Sequence, residues 1–576
     1  MPSSRSGAPR SPNLSPPPMT SIQASVDGSS PKGIGWVEVA AAALVALVFA
    51  AGYVVLDRQP LLWDEYYHLL AGRSWAADGT VTVGDGRYGR QAWFSALVGW
   101  VFRTFGEGLT QARMVSAVFQ VAWVTVVFAW VRREAGRTAA WTAALLLATS
   151  PIVLVNSVMV RFYSVNSLLV TLSALALYGG MKPRVPAGRR VGALAGAIAL
   201  GWVSYRITGL TRIWVSGLLL WSAGVAVLAA YRSGKRNTVF ALMGLGGAAV
   251  IAFLWISGWF SETWAVYQSA PVWADRRATD VRWYADLLLD DYPTMFTLLP
   301  LAGLLAIRRK PALGTLAVTA FLTALLLLSG AGPKSERYLL PVLSFFFILW
   351  GMAIAELVPA MLGWGRRFVE ELVGETKLDW PGRVVPPTLV AGVILFVLAT
   401  NVGFTRARMW PRGLLASVDR PSQARGVSFR EWEAVAEDLG ALMEEVDVVV
   451  TSNTLHLLYH VGDYDYGMHP TIIPEVQPPE EFGIDPRDGR PTISHLESLK
   501  TIVARNETGL VVGERWRWGS PSAGFTPDVA EYVYDTMLPV PTPSSTPLVV
   551  YRWGSAGHES PDGALGGGQG DGEPPG

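Results

Sequence analysis

Long apolar runs alternate with short polar loops over the first four hundred or so residues, and then the pattern changes. Runs near 36–56, 113–131, 138–156, 164–181, 191–205, 213–231, 238–260, 292–307, 312–329, 338–361 and 384–403 predict eleven membrane-spanning helices. A straight span needs roughly 20 apolar residues, so the shorter runs extend a few positions beyond these limits. The segment RQAWFSALVGWVFRTFG (90–106) is apolar but bracketed by Arg, and predicts an interfacial or re-entrant helix rather than a further span.

Charge in the loops orients the bundle. With the N-terminus in the cytoplasm, the inner loops are RREAGR (132–137), KPRVPAGRR (182–190), YRSGKRN (231–237), RRK (308–310) and the longer 363–383. Each carries at least three Lys or Arg, whereas the short loops at 157–163, 206–212 and 331–337 carry one or two. Cytoplasmic loops concentrate positive charge, so this count favours eleven spans with the N-terminus inside and the C-terminus outside.

Beyond residue 404 the periodicity is that of a water-facing domain. FREWEAVAEDLGALMEEV (429–446) predicts an amphipathic helix with Ser428 as its cap. DVVVTSN, TGLVVGER and TPLVVYRW predict strands, and TLHLLYHV, ISHLESLKTIVARN and FTPDVAEYVYDTML predict helices. Strands alternating with helices indicate a small α/β domain with a partly parallel sheet. No glycine-rich phosphate loop opens any of these helices.

Composition agrees with the pattern. The 576 residues are 51% hydrophobic and 16% charged, against about 25% charged in soluble proteins. A net charge of +1 gives no basic footprint for nucleic acid. The absence of cysteine excludes disulfides, thiolate metal sites and a cysteine nucleophile. The first 33 residues and residues 555–576 are rich in Gly, Pro and Ser and predict flexible tails. The expected organisation is therefore a tail at 1–33, a membrane domain at 34–404, an extracytoplasmic α/β domain at 405–554 and a second tail at 555–576.

Several charged residues stand where anchoring alone explains them poorly. Asp64 and Glu65 follow the first span in LLWDEYYHLLAGRSWAADG. Asp64 can cap a helix and Glu65 can favour its first turn. A carboxylate half-removed from water is also a general base, and His68, one turn further on, shares the face of Asp64. Arg161 and Tyr163 in MVRFYSVN sit at an outer span end, as do Lys334 and Arg337 in GPKSERYLLP. Cations on the outer side serve either as anchors or as ligands of an anionic group such as phosphate. The loop 261–291 mixes Trp, Tyr, Arg and Asp, with Trp273, Arg276, Arg277 and Tyr284 as candidates for contacting a sugar or for an interfacial belt. His456, His460, Asp463, Asp465 and His469 offer either a metal site or polar packing; no complete metal signature is present, and a divalent metal stays open as a cofactor.

WDEYYHLLAGRSW, QAWFSALVGWVFRTFGEGLTQARMVSAVFQ, AAWTAALLLATSPIVLVNSVMVRFYSVNSLL and SERYLLPVL, in that order, resemble the GT-C superfamily of membrane glycosyltransferases. The similarity is to the branch of protein O-mannosyltransferases and bacterial aminoarabinose transferases. Where many of those enzymes carry a Lys-Pro-Pro-like segment, this chain reads GRQAWFSAL. The resemblance implies a polyprenyl-phosphate sugar donor, an inverting transfer at the outer face of the cell membrane, and a glycan, lipid or protein acceptor. It implies Asp64 as the base with Glu65 beside it, and Arg161, Tyr163, Lys334 and Arg337 around the donor phosphate. The other readings are a flippase or transporter of a lipid-linked sugar and a non-catalytic membrane scaffold. The chain lacks the paired inverted halves and mid-span charges expected of a transporter.

Overall fold

The computed structural model describes residues 35–55, 63–89, 91–268, 279–332, 334–373, 392–393, 395–397, 399–401, 429–469, 482–519, 525–542 and 548–554. Helix α1 (Trp36–Val55) is followed by α2 (Trp63–Asp78), a hairpin of β1 (Thr82–Val83) and β2 (Gly86–Arg87), and α3 (Ala92–Phe105). A bundle then runs through α4 (Leu109–Ala135), α5 (Arg137–Thr149), α6 (Pro151–Ser157), α7 (Tyr163–Met181), α8 (Ala187–Ile207), α9 (Thr211–Arg232) and α10 (Arg236–Ile256). Next come α11 (Trp259–Gln268), α12 (Trp283–Asp291), α13 (Pro293–Thr297), α14 (Leu299–Arg309), α15 (Pro311–Gly330), a 3-10 turn (Glu336–Leu339) and α16 (Leu340–Val373).

Six of these helices are long and apolar enough to cross a membrane, or seven if the bent pair α5–α6 is one span. The chain is a multi-pass membrane protein. The eleven-span count is not reproduced: α1 contributes only a shorter apolar stretch, Trp36–Gly52, and α8 and α14 fall short in apolarity or length. The eleventh run, 384–403, lies mostly outside the described residues, as does Ser428. The run 138–156 bends by 59° at Ser150. Pro151 cannot donate to the preceding turn, and the Ser150 hydroxyl caps the new helix by accepting from the Val153 N–H at 3.3 Å. The run 292–307 is likewise divided, between α13 and α14.

The α16 segment forms the centre of the bundle, with 94% of its apolar window buried, whereas α10 lies at the rim with 6% buried. Gly351 lets α16 approach α5: a Cβ there would stand 2.4 Å from the Ala139 carbonyl oxygen. The expected interfacial segment is α3, whose 14 residues span only about 21 Å. It leaves Trp93, Trp100 and Phe105 exposed and lies across α2 at a crossing of two glycines. A Cβ at Gly99 would meet the Gly72 carbonyl oxygen at 2.6 Å.

The C-terminal region contains α17 (Phe429–Glu444), β3 (Val448–Thr451), α18 (Thr454–His460), β4 (Tyr466–Met468), β5 (Gly483–Ile484) and β6 (Pro491–Ile493). It continues with α19 (Leu496–Arg505), β7 (Gly509–Glu514), α20 (Pro527–Thr536), β8 (Leu538–Pro539) and β9 (Leu548–Trp553). The sheet order is β5-β6-β4-β3-β7-β9-β8. Strands β6, β4, β3 and β7 are parallel, with β9 antiparallel to β7. Their runs are apolar on both faces, as in Val448, Val449 and Val450, because helices cover a parallel sheet on each side.

The β1–β2 hairpin ties this sheet region to the bundle. The Gly86 N–H donates to the Asp488 carbonyl at 2.6 Å, and Arg490 pairs with Asp85 at 2.8 Å. Asp488 itself accepts from the buried Tyr464 hydroxyl at 2.7 Å.

Candidate active site

Helix α2 begins at Trp63, so Asp64 and Glu65 lie in its first turn, where the helix dipole favours anions. Asp64 Oδ2 stands 3.0 Å from Arg337 Nη1 and 3.4 Å from Arg161 Nη2. Arg161 Nη1 also donates to the Asp64 carbonyl oxygen at 3.2 Å. The Tyr163 ring lies beside both guanidiniums, at 5.7 Å from Arg161 and 5.5 Å from Arg337. Four predicted residues from three separate segments thus converge. The Asp64 side chain keeps 35% exposure while the two arginines keep 12% and 20%, so the carboxylate is the most accessible charge of the group. Burial pushes the Asp64 carboxyl up, but the Arg161 and Arg337 guanidiniums outweigh it and hold the group below its ordinary range.

Glu65 points elsewhere. Successive helical residues are turned by about 100°, and Glu65 is 1% exposed on the opposite side of the turn. Its Oε1 accepts from the Val160 N–H at 2.8 Å, and its Oε2 lies 3.5 Å from Arg113 Nη2. Glu65 therefore fixes the backbone next to Arg161 and does not reach the Asp64 side of the helix. Arg113, which the sequence reading passed over, is buried at 4% exposure. Its signal was a lone cation, in TQARMVSAV, at the start of an apolar run.

His68 is fully buried and does not orient Asp64. Its Nδ1 hydrogen-bonds Ser95 Oγ at 2.9 Å, and its ring meets Tyr88 and Phe94 edge-on at 5.6 and 5.1 Å. Burial and the nearby Arg161 keep it well below its ordinary pKa, hence neutral.

Lys334 is also drawn away from a phosphate role. Its ammonium donates to the carbonyls of Leu328 at 3.0 Å, Ser329 at 2.7 Å and Ala331, which closes the C-terminus of α15 and uses its three N–H bonds. Burial lowers this amine to about 8. Tyr284, a sugar-contact candidate, is buried: its hydroxyl donates to the Ser335 carbonyl and accepts from the Ser335 N–H, both at 3.2 Å. Tyr284 thus pins the loop that presents Arg337. Trp273, Arg276 and Arg277 lie outside the described residues. Tyr338, another residue the sequence reading missed, places its ring 5.7 Å from the Arg337 guanidinium.

The histidine-rich segment packs against α2. Tyr66 Oη lies 3.1 Å from His460 Nε2, and Trp432 stacks on His456 and His460 at 5.2 and 6.0 Å. Asp463 pairs with Arg490, and Asp465 accepts from the Val449 N–H at 2.8 Å. Among the described residues, no group of three or more His, Asp or Glu is arranged to hold a metal ion.

No family model matches the sequence, and no curated protein matches it either. The three-dimensional arrangement does match solved structures. ArnT from Cupriavidus metallidurans bound to undecaprenyl phosphate superimposes over 90% of this chain and 98% of its own, at 16% identity and a TM-score of 0.57. The apo state of ArnT superimposes over 90% and 97%, at 16% identity and a TM-score of 0.53. The fold is the GT-C fold. ArnT, an aminoarabinose transferase, therefore shares with this chain both the helical bundle and the C-terminal region, since the match covers nearly the whole of each.

Proposed function

We propose that this chain is a membrane glycosyltransferase that moves a sugar from a polyprenyl-phosphate donor to an acceptor hydroxyl. The observation that carries the reading is the Asp64–Arg161–Arg337 cluster, assembled at the head of α2 in a GT-C fold. ArnT with undecaprenyl phosphate supports the donor class by analogy of fold. The reaction takes place on the extracytoplasmic face of the cell membrane, and the C-terminal sheet region lies on that side. The acceptor is a glycan, a lipid or a protein.

The arginines suit a phosphate, because a guanidinium donates charge-assisted hydrogen bonds in a fixed fork. An arriving donor phosphate competes with Asp64 for Arg161 and Arg337. Asp64 then loses part of the field that weakens it as a base and takes the proton of the acceptor hydroxyl. The acceptor oxygen forms a bond to the anomeric carbon as the bond from that carbon to the phosphate oxygen breaks on the opposite face. The sugar is inverted, the proton resides on Asp64, and polyprenyl phosphate departs with its charge held by the guanidiniums. Glu65 and Tyr284 act as positioning residues, for Arg161 and Arg337 respectively.

Purified protein in nanodiscs, given radiolabelled polyprenyl-phosphate sugars, tests this reading against a flippase or a scaffold. The transferase releases polyprenyl phosphate. Movement of intact donor across the bilayer, with no release, would overturn the proposal.

A further inference from the structure

The sheet of the C-terminal region has a switch point that faces the head of α2. Strand β3 pairs in parallel with β4 on one side and β7 on the other. The chain leaves β3 through α18 toward β4, and leaves β7 toward β8 and β9 on the opposite flank. Where successive connections diverge in this way, a crevice opens outside the carboxyl ends of the strands, and ligands of α/β sheets bind there.

Trp63, the residue before Asp64, contacts side chains from this edge of the sheet. The Arg517 guanidinium, just beyond β7, lies 4.5 Å from the Trp63 ring centre. His456, beyond β3, lies 5.2 Å from it, and His469, next after β4, lies 6.3 Å from it. Arg517 is held in turn by the Ser452 carbonyl at 3.1 Å.

Among the described residues, the edge also holds buried polar atoms with no hydrogen-bond partner. These are Asn453 Nδ2 and His456 Nδ1, beyond β3, and Ser494 Oγ, next after β6. All three residues are at least nine-tenths buried. Leaving such groups unpaired is costly, and a ligand rich in hydroxyls would supply their partners. Burial, with Arg517 and His460 nearby, holds His456 neutral, so its ring can both donate and accept. An amide donor, a hydroxyl and a neutral imidazole beside an indole match a ligand with closely spaced hydroxyls and an apolar ring face.

We infer that the crevice at the carboxyl edge of β3, β4, β6 and β7 is the acceptor subsite, and that it takes a saccharide stacked on Trp63. The inference selects a glycan from the acceptor classes above and rests on the transferase reading for its role as acceptor. Trp63 and Asp64 are consecutive, with Cα atoms about 3.8 Å apart. Consecutive side chains of a helix point about 100° apart, so a saccharide held at Trp63 reaches the carboxylate by extending round the first turn of α2.

The test is binding without donor, so that it reads the crevice and not the reaction. The full chain in nanodiscs, free of maltoside detergent, is passed over a printed array of immobilised glycans, and affinity for the retained glycan is then measured. Wild type is expected to retain one glycan class. Trp63→Ala is expected to weaken binding at least tenfold, and Trp63→Tyr to restore part of it. Ser494→Ala removes a hydroxyl with no partner, so it is expected to keep or raise Tm while weakening the glycan severalfold. That combination would not arise from a merely structural serine. Equal retention by Trp63→Ala and Ser494→Ala would overturn the inference. So would a wild type that retains no glycan, whether or not it releases polyprenyl phosphate from its donor.

Discussion

Asp64 shares one carboxylate oxygen between two guanidiniums, at 3.0 and 3.4 Å. That arrangement keeps the group ionised but weakens it as a base, since each nearby cation lowers its affinity for a proton. Removing one cation has a signed consequence. In Arg337→Ala the Asp64 pKa rises toward or past its ordinary value, so the acid limb of transfer moves to higher pH. A pH profile of kcat/KM for the donor reads this directly because that profile reports groups on the enzyme before the donor binds and draws Arg337 from Asp64. An acid limb left in place would separate Arg337 from the base. Much of this constellation was legible in the chain: an acid pair beyond the first apolar run, and RFY and SERY at later span ends. The roles of Glu65, His68 and Lys334 were not, because each depends on a partner distant in the fold or on which way a helix faces. Ser95, Val160 and the last carbonyls of α15 have no signature in sequence that marks them as those partners.

At the scale of elements, α2 is held by what Glu65 does on the side away from Asp64. Its link to the Val160 N–H and Arg113 fastens α2 to the turn before α7 and to the start of α4. Removing one member of a buried ion pair costs about 3–5 kcal/mol. Glu65→Ala is therefore expected to lower thermal stability by a substantial part of that amount and to raise KM for the donor as Arg161 loses its support. Glu65→Gln keeps an acceptor for the Val160 N–H and is expected to recover donor KM more than stability. Equal losses in both variants would show that only the charge matters. The apolar runs announced these helices because lipid demands long uninterrupted stretches. The bend at Ser150 was less visible, although TSPIV carries both the cap and the proline that cause it. Strands of two or three residues, such as β4 and β5, are too short to display alternation.

Across the whole molecule, the sheet region is seated on the bundle through α2 and the β1–β2 hairpin. Backbone meets backbone there: a Cβ at Gly86 would lie 2.6 Å from the Asp488 carbonyl carbon and from the Gly489 nitrogen. Gly86→Val is expected to lift the hairpin off its seat, seen as faster proteolytic cleavage between the two regions at unchanged helix content. A cleavage pattern identical to wild type would show that the seat is not needed. The Gly-Asp-Gly of TVGDGR is a turn signal in the sequence, but its docking partner lies four hundred residues away and only the fold brings the two together. The alternation of strands and helices after residue 428 did disclose the α/β character of this region.

The central claim is that Asp64 is the base and that donor phosphate competes with it for Arg161 and Arg337. Donor affinity and single-turnover transfer of Asp64→Asn, measured side by side in nanodiscs, test both halves at once. The account predicts donor binding as tight as wild type or tighter, because the amide no longer competes for the guanidiniums, with transfer reduced by about 10²–10⁴-fold. Transfer near the wild-type rate, or donor binding lost along with it, would contradict the account.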